Sequence, residues 1–267
     1  MISENGLRML ARKNKVTTGL MEKDYVNSWI LYSIFTEEEL SDYLVFKGGT
    51  ALHKIYFPDI WRFSEDIDLT VIKQFDEDLF KDKLKSSLSE STSRSRIGFE
   101  IISYHSNPGY IQIKIQYDAL LGQKNTTKLD LSLSEKILFE TLTKEHSFED
   151  VPSFSLPCYS IEEIFVEKLR SLFQRNKARD YYDVYRLLNE QNFELEDLVE
   201  TFKVKMELKN LSLNLEISKE KRQDLEDYWE KALIRFISNE NLPDFNIVMN
   251  QIDDIIGELK EIDEDFS

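Results

Sequence analysis

Asp66 and Asp68 stand two residues apart in a run where Ile67, Leu69 and Val71 alternate with Asp66, Asp68 and Thr70. A period of two predicts a strand with both carboxylates on one face and the apolar side chains on the other. Two carboxylates held close repel each other, and one keeps its proton unless a cation neutralises the pair. An all-oxygen site of this kind suits Mg²⁺ or Mn²⁺, and such ions can clamp an in-line phosphoryl displacement. Upstream, the apolar run Leu44 to Phe46 stops at Gly48-Gly49, and Thr50 to Tyr56 reads as a helix with Ala51, Leu52 and Ile55 on one side. Glycine lets backbone approach a ligand closely and adopt positive φ. A helix start beyond it offers N–H groups to phosphate, and Thr50 can add a hydroxyl. Each piece alone has a plain explanation, a tight turn or a solvated strand face. The order strand, Gly-Gly-Thr, helix, loop, Asp-x-Asp strand makes the combination specific.

A second anomaly lies later. Ile161 to Arg175 has helical periodicity, with Ile161, Ile164, Phe165, Leu169, Leu172 and Phe173 on one face. Lys168 falls near the middle of that face, while Arg170 projects to the polar side. An inward lysine is costly unless it meets an anion. In Ala178 to Leu188, Asp180 and Asp183 share a face with Val184, Leu187 and Leu188. The simplest structural explanation pairs Asp180 with Lys168 or Arg179; a nucleotide phosphate would satisfy Lys168 equally well.

The elements around these residues follow from pattern. Asp24 to Phe35 and Phe75 to Leu88 predict helices, and Ser86 to Ser95 a polar connection. Ile111 to Ile115 and Leu129 to Leu133 alternate as strands. Pro152 and Pro157 mark a break, beyond which the pattern is helical. The expectation is a mixed α+β part over residues 1–150 and a helical part over 151–267.

Composition narrows the function. The single cysteine, Cys158, forms no intramolecular disulfide. His53, His105 and His146 have neither metal-ligand nor triad spacing, and the serines of Ser86 to Ser95 lack a nucleophile elbow. Tyr181, Tyr182 and Tyr185 could stack a base but more often pack a helix. The formal charge of −16 argues against a broad nucleic-acid coat. Most of the excess acid follows Glu190 and ends in the run Asp253 to Asp265, a solvated face or a docking surface for a basic partner. The basic stretch Lys168 to Arg179 leaves room for a local nucleotide or RNA contact. Met1 to Lys15 lacks the apolar run of a signal peptide, and no stretch reaches about 18 apolar residues. No membrane span and a cytoplasmic location are expected.

Phe46-Lys47-Gly48-Gly49-Thr50-Ala51-Leu52, followed by Arg62-Phe63-Ser64-Glu65-Asp66-Ile67-Asp68-Leu69, resembles the AbiEii/AbiGii group of bacterial abortive-infection toxins. That group belongs to the DNA polymerase β-like nucleotidyltransferase superfamily. Fifteen residues separate Thr50 from Asp66, a longer spacer than the superfamily's usual one but similar to this group's. Glu162 to Arg170 and Ala178 to Asp183 resemble the group's later motifs, with Val166 where alanine is more usual. The resemblance spans about residues 44–190; the last third carries no matching motif.

The resemblance implies a polymerase β-like core, a mixed sheet flanked by helices, followed by a helical C-terminal domain that contributes Lys168 and Asp180 to the site. It implies a third acid on a neighbouring strand. Asp130, on the polar side of the Leu129/Leu131/Leu133 strand, is the candidate, and Asp118 is its rival. It further implies metal binding by Asp66, Asp68 and Asp130, and nucleotide contacts from Gly48, Gly49, Thr50, Ser64 and Lys168. Asp180 would belong to the catalytic centre. The activity would be metal-dependent transfer of NMP from an NTP to an RNA such as a tRNA 3′ end, or to a protein. The biological setting would be a toxin with a cognate antitoxin in phage defence. The alternatives are a catalytically silent nucleotide- or partner-binding module and a small-molecule nucleotidyltransferase.

Overall fold

The computed structural model describes residues 2–266. The chain folds into two compact units, Met1–Glu135 with Glu140–Tyr159, and Lys136–Phe139 with Ser160–Ser267.

The first unit opens with α1 (Glu4–Lys13), α2 (Thr18–Phe35) and α3 (Glu38–Ser41). Strand β1 (Leu44–Lys47) runs straight into α4 (Gly48–Ala51) and a π turn, Leu52–Tyr56. Then come β2 (Ile67–Val71), α5 (Glu77–Ser95), β3 (Gly98–Asn107), β4 (Tyr110–Asp118), β5 (Lys124–Ser132), β6 (Leu142–Phe148) and β7 (Val151–Cys158). The strands form one mixed sheet in the order β3-β4-β5-β2-β1-β7-β6. β2 is antiparallel to β1 and parallel to β5, and β1 is parallel to β7. This is the mixed sheet flanked by helices that the sequence leads one to expect.

Helix α2 explains much of the unit. It is buried on nearly every face, and its polar residues Asp24, Asn27, Ser28 and Ser33 are buried with the rest. A helix buried all round must satisfy such groups internally. One partner is α5, which the serine-rich stretch continues instead of ending as a connection. Ser87, Ser91 and Ser95 recur every fourth residue, so they share the buried face. The Ser87 hydroxyl donates to the Ser33 carbonyl, and the Ser33 and Ser91 hydroxyls lie 2.6 Å apart. The serines that read as a linker are the contact surface of a helix.

Two further expectations change. Pro152 and Pro157 sit inside β7, so the first unit runs on to Tyr159. β7 pairs with β1 only at Phe46 and Cys158, so most of its length on that side needs no ladder N–H and proline is tolerated. In β2 the alternation breaks at its end: Thr70 is fully buried and Val71 is half-exposed. The Thr70 hydroxyl is within 2.6 Å of the Tyr159 hydroxyl, which removes the penalty of burying it.

The second unit holds α6 (Ile161–Gln174), α7 (Ala178–Glu190), α8 (Leu195–Glu207), α9 (Lys219–Leu233) and α10 (Phe245–Ile262). Its detached segment, Lys136–Phe139, is strapped to these helices. The Leu138 and Phe139 amides donate to Glu163 Oε2 at 2.9 and 2.8 Å. Lys205, essentially buried, donates to the Lys136 carbonyl at 2.7 Å and pairs with Glu163 and Glu167. Among the described residues no helix is long and apolar enough to cross a membrane.

Candidate active site

One polar row crosses the sheet of the first unit. Lys47 on β1 is in register with Asp68 on β2, Asp68 with Asp130 on β5, and Asp130 with Gln112 on β4. Register partners project from the same face, so four polar side chains stand side by side. The next row, Phe46, Leu69, Leu131 and Ile111, is fully buried and projects the other way. The apolar rows bury the sheet on one side, and that burial fixes which way the aspartates face.

Electrostatics within the row are unbalanced. Burial pushes the Asp130 carboxyl above its usual range, and the charges of Asp68 and Asp66 push it further. The Gln112 amide opposes this by donating to Asp130 Oδ1 at 2.8 Å. Asp118, the rival third acid, ends β4 opposite Lys124, six residues along β5 from Asp130. At about 3.4 Å per residue that separation is roughly 20 Å, which removes Asp118 from the site.

The glycines meet this row directly. Gly48 has φ +78°, a left-handed conformation that favours glycine. A β-carbon there would lie 2.6 Å from Asp68 Oδ2. A β-carbon on Gly49 would lie 2.8 Å from Arg62 Nη2. The helix begins at Gly48 itself, with Lys47 in the cap position. Thr50 is fully buried, and its hydroxyl donates to the Asp66 carbonyl. Thr50 therefore ties the glycine turn to the aspartate strand, a different use of the hydroxyl from the phosphate contact expected.

The lead-in to Asp66 is held from three sides. Asn27 Nδ2 and Thr127 Oγ1 both donate to the Glu65 carbonyl, at 3.1 and 2.9 Å. Lys23 pairs with the Glu65 carboxylate at 3.3 Å. Ser64 is buried within the same segment. Asp66 directly precedes β2, so these contacts, not the ladder, set its position.

Sequence reasoning missed Lys47, Gln112, Asn27 and Thr127. Lys47 left a signal, a charge closing the apolar run Leu44 to Phe46. Lys47 is nearly buried, with its ammonium 5.4 Å from the Tyr159 ring centre. Asn27 left a weaker one, an amide close to the apolar run of Trp29, Ile30 and Leu31.

The oxygen-only donor set suits a hard divalent cation, and the mutual repulsion at Asp130 is what such a cation would relieve. As they stand, the carboxylates form a row and not a closed cage. Among the described residues no group of three His, Cys, Asp or Glu forms a ready metal cluster. A cavity of about 550 Å³ lined by Val71, Ile72, Lys73, Phe75, Glu77 and Ile111 opens at the other end of β2, and it offers a single carboxylate, Glu77, in place of the row's aspartates.

The second unit has its own polar centre. Lys168 Nζ lies 2.8 Å from Asp183 and 3.2 Å from Asp180. Arg175, largely exposed, adds hydrogen bonds of 2.7 and 3.0 Å to Asp180. Burial alone would raise the Asp180 carboxyl, but Lys168 and Arg175 outweigh it and hold it well below the usual range. The expected bridge from Asp180 to Lys168 is present; Arg175 is the second cation, and Arg179 stacks over Phe236. Arg170 is buried, not projected outward, and donates to Gln174 at 2.6 Å. The basic stretch Lys168 to Arg179 is thus largely committed within its own unit. Tyr181 and Tyr182 are buried as packing residues.

Comparison with known proteins identifies the family and a similar fold. The family model described as "Nucleotidyl transferase AbiEii toxin, Type IV TA system" matches residues 29–251. Among solved structures, MenT4, a nucleotidyltransferase toxin from Mycobacterium tuberculosis H37Rv, is similar in fold. Its TM-score is 0.54 at 17% identity, covering 85% of this chain and 73% of that chain. No curated protein matches the sequence.

Proposed function

Because the chain belongs to the AbiEii family of nucleotidyltransferase toxins of type IV toxin–antitoxin systems, we propose that the polar row of the first unit is its metal-dependent catalytic site. The supporting observation is the registry of Asp68 with Asp130, with the Asp66 charge also felt at Asp130 and Gly48 pressed against Asp68.

The reaction is transfer of NMP from an NTP. An acceptor hydroxyl oxygen attacks the α-phosphorus and gives up its proton to solvent, a new phosphoester bond forms, the bond to the β-phosphate breaks, and pyrophosphate leaves. Asp66, Asp68 and Asp130 would hold Mg²⁺ or Mn²⁺, which would supply charge neutralisation at the reacting phosphate. Gly48 and Gly49 let the phosphates approach backbone, and Ser64 lies on the segment that carries Asp66. Lys47 places a cation beside Asp68. By the family motif, Lys168 contacts the triphosphate and Asp180 belongs to the catalytic machinery. That assignment rests on sequence.

The acceptor is the 3′ end of an RNA such as tRNA, or a protein hydroxyl, and a cognate antitoxin restrains the enzyme. The net charge of −16 limits any RNA contact to a small area. Incubating the protein with each labelled NTP, Mg²⁺ or Mn²⁺, and total RNA or protein tests the reading. Label should enter one acceptor class only with divalent metal present. No incorporation under any combination removes the catalytic reading, and incorporation unaffected by chelator removes the metal.

A further inference from the structure

Behind the glycine turn lies a charge cluster that the transfer chemistry does not use. Asp24 and Lys54 are both buried, and their side chains pair at 2.7 Å. Besides this ion pair with the Asp24 carboxylate, the Lys54 ammonium donates hydrogen bonds to two more groups of α2, the Asp24 carbonyl at 2.9 Å and the Ser28 hydroxyl at 2.9 Å. His53, beside it, places Nε2 3.5 Å from the same Asp24 oxygen. His146 completes the cluster, with Nε2 3.1 Å from Ser28 Oγ.

A buried ion pair is seldom the most stable way to fill an interior, since apolar side chains of similar size often do as well or better. What such a pair does enforce is one geometry. His53 and Lys54 lie in the π turn Leu52–Tyr56, immediately after the glycines and Thr50. π turns of this sort recur at functional sites, where they set a local backbone course. Two routes lead from the cluster to Asp66. Through the helix, the anchored π turn fixes Thr50, whose hydroxyl holds the Asp66 carbonyl. Across space, the His53 ring packs on Phe63 at 4.4 Å between centres, within the Arg62 to Asp66 segment. Lys23 and Asn27, on the same stretch of α2, hold Glu65 directly.

The structure assigns to Asp24 the role of a positioning residue: from α2 it fixes His53 and Lys54, and through them the backbone that carries Asp66. This role rests on the transfer reading above, but it also has a mechanical consequence that can be measured without activity.

The test uses the full chain with Asp24→Asn, which keeps shape and removes charge, and with Asp24→Leu/Lys54→Met, which replaces the pair by apolar side chains. In both, amide hydrogen exchange at residues 50–56 and 62–66 should quicken while α8 to α10 stay unchanged. In the transfer assay, kcat should fall about 30-fold with the KM for NTP within about threefold, in line with the cost of a small misplacement. The double variant should regain the wild-type melting temperature without regaining kcat. Two results overturn the assignment: unchanged exchange at residues 62–66, or a kcat that recovers with the melting temperature. If Asp24→Asn does not fold, the double variant alone decides between these outcomes. If the wild type transfers nothing, the functional reading fails on its own, and the exchange measurement still decides the mechanical role.

Discussion

The two polar centres of this protein are built on opposite electrostatic plans. In the first unit, Asp68 and Asp130 stand on neighbouring strands of one sheet face with Asp66 just ahead of β2, and Asp130 is pushed toward its neutral form by burial and by the other two. In the second, Lys168 and Arg175 meet Asp180 and Asp183, and Asp180 is held firmly ionised. The first centre is short of positive charge; the second has what it needs. The first centre gains by taking up a divalent cation, whereas in the second any phosphate that Lys168 binds must compete with Asp180 and Asp183 for it.

Substitution should separate the two, with the largest effect at the row. Asp68→Asn is expected to lower transfer about a thousandfold, equivalent to about 4 kcal/mol in the barrier. Its melting temperature should hold or rise, because a repulsion is relieved. Lys168→Met should instead cost both stability and transfer: removing this cation from between buried Asp180 and Asp183 costs about 3 kcal/mol in a urea titration, and the proposed triphosphate contact goes with it. A Lys168→Met protein that melts normally yet transfers nothing would end the contrast and leave the lysine a nucleotide contact alone, and one that melts lower yet transfers normally would remove that contact.

Protonation offers a subtler test. Burial, with Lys54 nearby, depresses His146 to about 3. The unfolded chain binds a proton there near pH 6.5 and the folded chain does not, so stability falls as pH drops through that window. Between pH 7 and pH 5 the loss should be about 2 kcal/mol, and His146→Gln should abolish that slope. Asp180, depressed by its cations, also loses stability on acidification, below the ordinary carboxylate range. Asp130 has the opposite sign: its folded carboxyl is raised, so its contribution weakens as pH rises through the carboxylate range. Mg²⁺ or Mn²⁺ should flatten the Asp130 dependence and leave the Asp180 dependence alone.

The smallest effect belongs to the turn. Gly48→Ala introduces strain at φ +78° and a contact with Asp68, for about 1 kcal/mol of stability. Transfer should drop about tenfold, since the displaced atom is a proposed metal ligand. A fully active Gly48→Ala would show that the turn and the row work independently.

What could be read from the sequence was local. The glycine turn, the Asp-x-Asp strand, Asp130 and the inward Lys168 and Asp180 each break a pattern within a few residues of themselves. What could not be read depended on distant partners. Asn27 and Thr127 hold the Glu65 carbonyl from 38 and 62 residues away, and no spacing rule links them. The serines of α5 looked like a linker because small polar residues suit both a loop and a close helix contact. Edge strands β3 and β6, with much of their surface in water, lacked the apolar alternation that marks β2, β4 and β5. Lys47 was visible as an oddity, but its role needed the register with Asp68.

The strap Lys136–Phe139 has a consequence for how this gene could be cut. The polypeptide passes from one unit to the other at three places, after Glu135, after Phe139 and after Tyr159. A single break between an N-terminal and a C-terminal half would send the strap away with the sheet. Glu163 would lose two amide donors and Lys205 would lose a carbonyl, and both of these side chains are buried. The two units are separate as folds but not as inheritable pieces, and recombination or truncation that respects the apparent boundary would still damage the helical one.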